Sequence, residues 1–168
     1  HDSYVVNDTD CPRSEAVTMI INRHKKMLNK LQLEWLKKSP KLLQEEDILF
    51  LHGGPNNPQD QYLYSVSKDI FPDGINTLFS GHTHVQILAK FDNKKYCNPG
   101  SVGQPRDGDN RAAYATLMDG DVSLHRISYD IDETVKAMKE AHYDSFYYEN
   151  LYNGSQIGGR IDKVKIVK

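Results

Sequence analysis

Only two cysteines occur in the 168 residues, Cys11 and Cys97. Two thiols cannot build the multi-bridge framework that holds small secreted domains together. Neither belongs to a C-x-x-C pair, which argues against thiolate zinc and thioredoxin-like chemistry. One bridge between them would be feasible, but the reading is two reduced thiols. Long apolar runs are missing as well. No stretch reaches the roughly 18 apolar residues of a membrane-spanning helix, and no basic-then-apolar leader is visible. The reading is therefore cytoplasmic, without a membrane partner. Charge of one sign is not in excess: 21 Lys+Arg stand against 23 Asp+Glu, a net of −2. A dedicated nucleic-acid or membrane-surface protein would carry a basic excess. Internal repeats and low-complexity tracts are absent.

Apolar residues are scarce, at 38%. Exchanging the 10 Tyr of that set for the 11 Gly outside it hardly changes the fraction, and roughly 45–50% is usual for globular chains on that count. A chain lacking some of its buried strands would look like this, and so would an ordinary polar domain. The length suits one domain, expected over residues 1–168. The chain opens on His1-Asp2 rather than Met.

Residues 3–13 are polar and read as loop. Ser14 is a candidate N-cap with Glu15 behind it, and Ala16, Met19, Ile20, His24 and Met27 follow at helical spacing to about residue 28. Asn29 with Gln32 predicts a capping box for a second helix, which stops at Ser39-Pro40. Ile48-Leu49-Phe50-Leu51 is a short continuous apolar run and reads as a buried strand. A loop of Gly, Pro and Asn follows, then a helix expected over 60–70. Asn76 to Ser80 is a second buried strand. Hairpins are predicted over 85–98, around Asp92-Asn93, and over 112–129, turning at Asp119-Gly120. A helix over 132–142 starts behind Asp130. A basic, strand-like stretch, Lys163 to Lys168, ends the chain. Helices and buried strands followed by hairpins suggest an α/β layered domain.

The informative feature is where the histidines fall. His52 ends one buried strand and is followed by two glycines. Gly81-His82-Thr83-His84 follows the next. Ligands bind at the carboxyl ends of strands in open α/β sheets, and glycine there allows tight turns. On an extended backbone His82 and His84 would face one side; in a tight loop they can reach two different centres. H-x-H alone does not make a metal site. Three histidines at strand ends in one small domain point toward one, and imidazole suits Zn, Fe, Ni, Cu and, less tightly, Mn. His24, His125 and His142 lack such flanks and read as surface or packing residues.

These residues resemble a known family. His52-Gly53-Gly54-Pro55, Gly81-His82-Thr83-His84 and Asn98-Pro99-Gly100-Ser101-Val102-Gly103-Gln104-Pro105-Arg106 occur in that order. The set is similar to the small prokaryotic calcineurin-like metallophosphoesterases. Arg111-Ala112-Ala113-Tyr114, Tyr129-Asp130 and Trp35-Leu36 share the likeness, which covers most of residues 1–154. The resemblance implies two packed mixed β-sheets flanked by helices, a four-layer sandwich. It implies two divalent transition metals (Mn, Fe, Zn or Ni) and hydrolysis of phosphate esters, mono or di, by a hydroxide that the metals activate. His52 and His82 would bind one metal and His84 the other. His1 would be the catalytic histidine, with His1-Asp2 as the end of a Gly-Asn-His-Asp/Glu motif. Arg106 would touch a substrate phosphate or be a solvated loop arginine. Asn98 and Ser101 would hold the loop, and Cys97 would be a small core residue.

The departure is large. The family's Asp-x-His and Gly-Asp-x-x-Asp motifs are not found in the sequence, nor is the Asn before His1. The expectation is a C-terminal portion of a longer protein, incomplete at the N-terminus and inactive by itself. The three metal histidines must stay neutral, so metal affinity is expected to fall below about pH 6. The implied partner is a phosphorylated small molecule or nucleotide, and homo-oligomerisation stays open. A non-catalytic binding scaffold on the same fold is the alternative, and a small zinc-binding domain a more remote one. Tyr-rich stretches at 62–64, 143–148 and 152 could stack on nucleotide bases or simply pack.

Overall fold

The computed structural model describes residues 2–7, 9, 11 and 14–167. They divide into two compact units, residues 1–40 and 41–168.

The first unit is helical: α1 (Asp2–Val6), α2 (Glu15–Met27) and α3 (Lys30–Lys37). Ser14 is extended at the start of α2 but makes no side-chain cap bond. Glu15 in the first turn and Lys25 and Lys26 in the last complement the helix dipole. The capping box on α3 forms as the sequence predicts: Gln32 N–H donates to Asn29 Oδ1 at 3.0 Å and Asn29 N–H to Gln32 Oε1 at 2.8 Å. α1 corrects the loop expected over residues 3–13. Five residues cannot sustain a helix on propensity. Burial of Val5 against Cys11 and Ile21 holds it.

The second unit is built on a five-stranded mixed sheet. Its strands are β1 (Leu42–Glu45), β2 (Ile48–Leu51), β4 (Thr77–Phe79), β5 (Ile87–Phe91) and β6 (Lys94–Asn98), in the order β1-β2-β4-β6-β5. The central strands β2, β4 and β6 run parallel, and β1 and β5 close the edges antiparallel. Leu49 and Leu78 are register partners on one face and enter a core with Ile75, Phe71, Phe91 and the fully buried Tyr96. Phe50 and Phe79, one residue along, stack at 4.8 Å on the other face. β1 was invisible to the sequence reading because all four of its residues are exposed. An edge strand wet on both faces carries no alternation of apolar and polar residues.

β7 (Ala112–Met118) and β8 (Asp121–Ile127) form a separate hairpin. Asp119 and Gly120 both have positive φ, 50° and 80°, as the two central residues of a type I′ turn require. Ala115 and Leu117 face Phe50 and Phe79 across a cavity of about 370 Å³. Arg126 fastens the hairpin: it pairs with Asp107 and donates through Nε to Gln86 Oε1 at 2.9 Å. Gln86 Nε2 in turn donates to His125 O at 2.9 Å. α4 (Ile131–Glu140) starts at Asp130, whose carboxylate accepts from Glu133 N–H.

The helix expected over 60–70 does not form. Residues 62–64 lead instead into β3 (Ser65–Val66), which pairs in parallel with β9 (Lys165–Ile166). Only a single 3₁₀ turn, Lys68–Ile70, follows. Tyr64 O and Val66 O accept from Lys165 and Val167 N–H at 2.9 and 2.8 Å. A partner about a hundred residues away thus decides the backbone here, and local periodicity could not show it. Among the described residues no helix is long and apolar enough to cross a membrane.

Candidate metal centre

Three adjacent parallel strands end at one edge of the sheet. His52 follows β2, Gly81-His82-Thr83-His84 follows β4 after Ser80, and Asn98 closes β6. Parallel pairing puts the three carboxyl ends side by side, where open α/β sheets carry ligands. Gly81 N–H donates to His52 O at 2.9 Å and ties the first two ends together.

His82 and His84 both have left-handed backbones, with φ of 64° and 57°. Each such non-glycine residue stores on the order of 1–3 kcal/mol and needs surroundings that over-determine it. Asn98 supplies them. Its fully buried amide donates to Gly81 O at 2.8 Å and Thr83 Oγ1 at 2.9 Å, while its Oδ1 accepts from Gly100 N–H at 2.9 Å. The left-handed turn also decides which way the histidines face. They diverge: His82 turns toward His52, and His84 toward Gln104.

His52 Nε2 lies 2.9 Å from His82 Nδ1. Without a metal, one ring donates to the other. Two nitrogens on one tetrahedral metal at roughly 2.0–2.1 Å lie about 3.3–3.4 Å apart. A small opening of the pair would place both nitrogens on a single ion. The second nitrogen of His82, Nε2, is 3.5 Å from Asp60 Oδ1, beyond a good hydrogen bond. Among the described residues no three His, Cys, Asp or Glu side chains converge on one point.

His84 stands apart from that pair. Its Nδ1 is 2.7 Å from Gln104 O. A carbonyl only accepts, so Nδ1 carries the proton and Nε2 keeps its lone pair. Burial, and then the nearby charge of Arg106, lowers the pKa of His84 from 6.5 to about 4. It is neutral at pH 7, as a ligand must be.

The loop after β6 holds this arrangement. Gln104 N–H donates to Ser101 Oγ at 2.9 Å, and Arg106 N–H to His84 O at 3.1 Å. Arg106 is half-buried. Its Nη2 donates to Gln104 Oε1 at 2.9 Å, while its Nε is buried and has no hydrogen-bond partner among the described residues. Cys97 is a free, fully buried thiol whose pKa burial pushes up to about 12. His125 bonds Thr116 Oγ1 and stacks on Tyr114 within the hairpin. His1 lies outside the described residues.

The sequence reading missed the segment that packs on His82. Gly53 makes it possible: a Cβ there would stand 2.6–2.9 Å from the backbone of Asn57, Asp60 and Gln61. This tight turn brings Asp60 and Tyr62 back to the strand end. Tyr62 stacks on His82 with ring centroids 3.8 Å apart and planes 22° from parallel. The Gly-Gly-Pro run signalled a turn, but nothing local signalled what the turn delivers.

Residues 9–120 match the calcineurin-like phosphoesterase superfamily domain. An uncharacterized protein of Methanocaldococcus jannaschii is 29% identical, over 77% of this chain and 63% of its own length. The chain thus spans under two thirds of that relative. The crystal structure of a metallophosphoesterase from Sphaerobacter thermophilus superposes with a TM-score of 0.78 at 26% identity, over 92% of this chain and 74% of that one. A hypothetical protein from Pyrococcus horikoshii has the same fold, with a TM-score of 0.73 at 17% identity, over 92% and 66%.

Proposed function

Because the chain belongs to the calcineurin-like phosphoesterase superfamily, we propose that it forms part of a metal-dependent phosphoester hydrolase. His52 and His82 would hold one divalent metal and His84 a second. The observation that carries this is the 2.9 Å approach of His52 Nε2 to His82 Nδ1 at the ends of adjacent parallel strands. Bound metals in such pairs polarise phosphoryl oxygens and make a potent nucleophile of water at neutral pH.

The chain's own residues have defined tasks. His52 and His82 present two nitrogens to one point. Gln104 O holds the proton of His84 on Nδ1, leaving Nε2 for binding. Arg106 keeps a cation beside His84, placed to neutralise a phosphate oxygen of the substrate. Asn98 holds the strained turn that separates the two sites. The similarity to the family gives His1 the protonation of the leaving oxygen. The substrate class is a phosphorylated small molecule or nucleotide, as a monoester or a diester.

Three histidines do not complete a metal pair, so the 168-residue chain should turn over little or no ester by itself. The test is Mn²⁺ binding by calorimetry, with hydrolysis of a chromogenic phosphodiester measured alongside. Binding that weakens at least tenfold in His82→Ala, with little turnover, is the expected result. Binding that ignores His82→Ala would overturn the metal assignment. Robust turnover lost in His82→Ala would overturn the dependence on further ligands.

A further inference from the structure

We infer that Tyr62 is a positioning residue: it fixes the imidazole plane of His82 so that Nδ1 faces His52, and Tyr64 and Asp162 buttress it from behind. The inference rests on the proposed metal role of His82.

An imidazole on a strand end can turn about its last torsion, which has broad and roughly two-fold wells. A turn of about 180° puts a ring carbon where each nitrogen stood, and a smaller turn tilts Nδ1 away from His52. To present Nδ1 to His52 at 2.9 Å the ring needs contacts on its face as well as its edge. Asp60 at 3.5 Å from Nε2 is longer than a good hydrogen bond and cannot do this alone. Tyr62 covers the face, at 3.8 Å between centroids.

Tyr62 is itself held. Tyr62, Leu63 and Tyr64 run toward β3 with alternating faces. Leu63 is buried in the core of the second unit, so the two tyrosines project together on the other side. Their rings are parallel to within 2°, 5.5 Å apart. Tyr64 Oη donates to Asp162 Oδ2 at 3.0 Å. Asp162 is buried, at 5% exposure. It accepts from Arg160 Nε at 2.9 Å, and its own N–H donates to Arg106 O at 2.7 Å. A line of contacts thus runs from the C-terminal segment through Asp162, Tyr64 and Tyr62 to His82. It returns through Arg106 to His84, whose O accepts from Arg106 N–H. His82 takes one face of the Tyr62 ring.

Two measurements on the 168-residue chain test the inference. The first is proton NMR of the metal-free chain. The ring protons of His82 should be shifted upfield by Tyr62. Tyr62→Ala should abolish that shift, while Tyr62→Phe should keep it. The second is Co²⁺ titration followed by its visible spectrum. Loss of residues that orient metal-binding histidines typically weakens affinity about 10–100-fold. Tyr62→Ala should fall in that range and Tyr62→Phe should stay within about twofold of wild type on the same reasoning. Tyr64→Phe keeps the stack but loses the bond to Asp162, and should fall between. A folded Tyr62→Ala that binds Co²⁺ like wild type would overturn the inference, as would an unshifted His82 in the wild type. If the wild type gives no Co²⁺ spectrum that depends on His82, the metal role itself fails. The NMR result distinguishes that failure from a failure of the clamp.

Discussion

His84 Nδ1 lies 2.7 Å from Gln104 O. That single contact assigns the tautomer of His84 and with it the nitrogen left for a ligand. It also shows why the segment after β6 belongs to the site although it holds no proposed metal ligand.

The pH behaviour of His84 follows. Its folded pKa is lowered to about 4 from 6.5, chiefly by burial. The unfolded chain therefore takes up this proton at higher pH than the folded one. The contribution of His84 to stability is complete above 6.5 and is lost as the pH falls from 6.5 toward 4. NMR titration of the metal-free chain should find its midpoint near 4, and a midpoint near 6.5 would contradict the geometry.

Asn98 should be hard to replace. Asn98→Ala takes the donor from Thr83 Oγ1 and the acceptor from Gly100 N–H, while Gly81 O keeps the N–H of Thr83 at 2.7 Å. Each unsatisfied buried group costs about 1–3 kcal/mol. Urea denaturation should show a loss of about 2–4 kcal/mol on that reasoning, with weaker metal binding at the same time. A loss below about 0.5 kcal/mol, the usual size of a neutral surface substitution, would mean that the left-handed turns hold without it.

Gly53→Ala drives a methyl into the backbone of Asn57, Asp60 and Gln61. Overpacking of this kind costs about 1–3 kcal/mol. The segment carrying Asp60 and Tyr62 should shift, so the upfield position of the His82 ring protons should move with it. An unchanged His82 spectrum would contradict the role given to the turn.

The thiol of Cys97 should be inert. Its pKa is pushed up to about 12 by burial, and the thiolate is the reactive form. A thiol reagent at pH 8 should label Cys97 only after unfolding, a result read by mass spectrometry of the digested chain. Fast labelling of the native chain would contradict its burial.

Much of this was legible in the sequence where the signal is local. The Asn29–Gln32 box, the Asp119-Gly120 turn and the apolar run before His52 each encode their structure within a few residues. The three strand-end histidines were found the same way. What was not legible depends on distant partners. β1 is exposed throughout, α1 is held by packing, and the 60–70 segment is set by β9. Tyr62 and Asp162 enter the site only because Gly53 folds the chain back and the C-terminal segment returns.

In the proposed site His52 and His82 share one metal while His84 serves another. Co²⁺ titration of the 168-residue chain and its His→Ala variants separates this division from any other. His52→Ala and His82→Ala should weaken the same binding step by similar factors. Their double variant should be little worse than either single one, because ligands of one ion act as a unit. His84→Ala should leave the spectrum of that step intact. Independent, multiplying effects of His52→Ala and His82→Ala, or loss of the same step in His84→Ala, would contradict it.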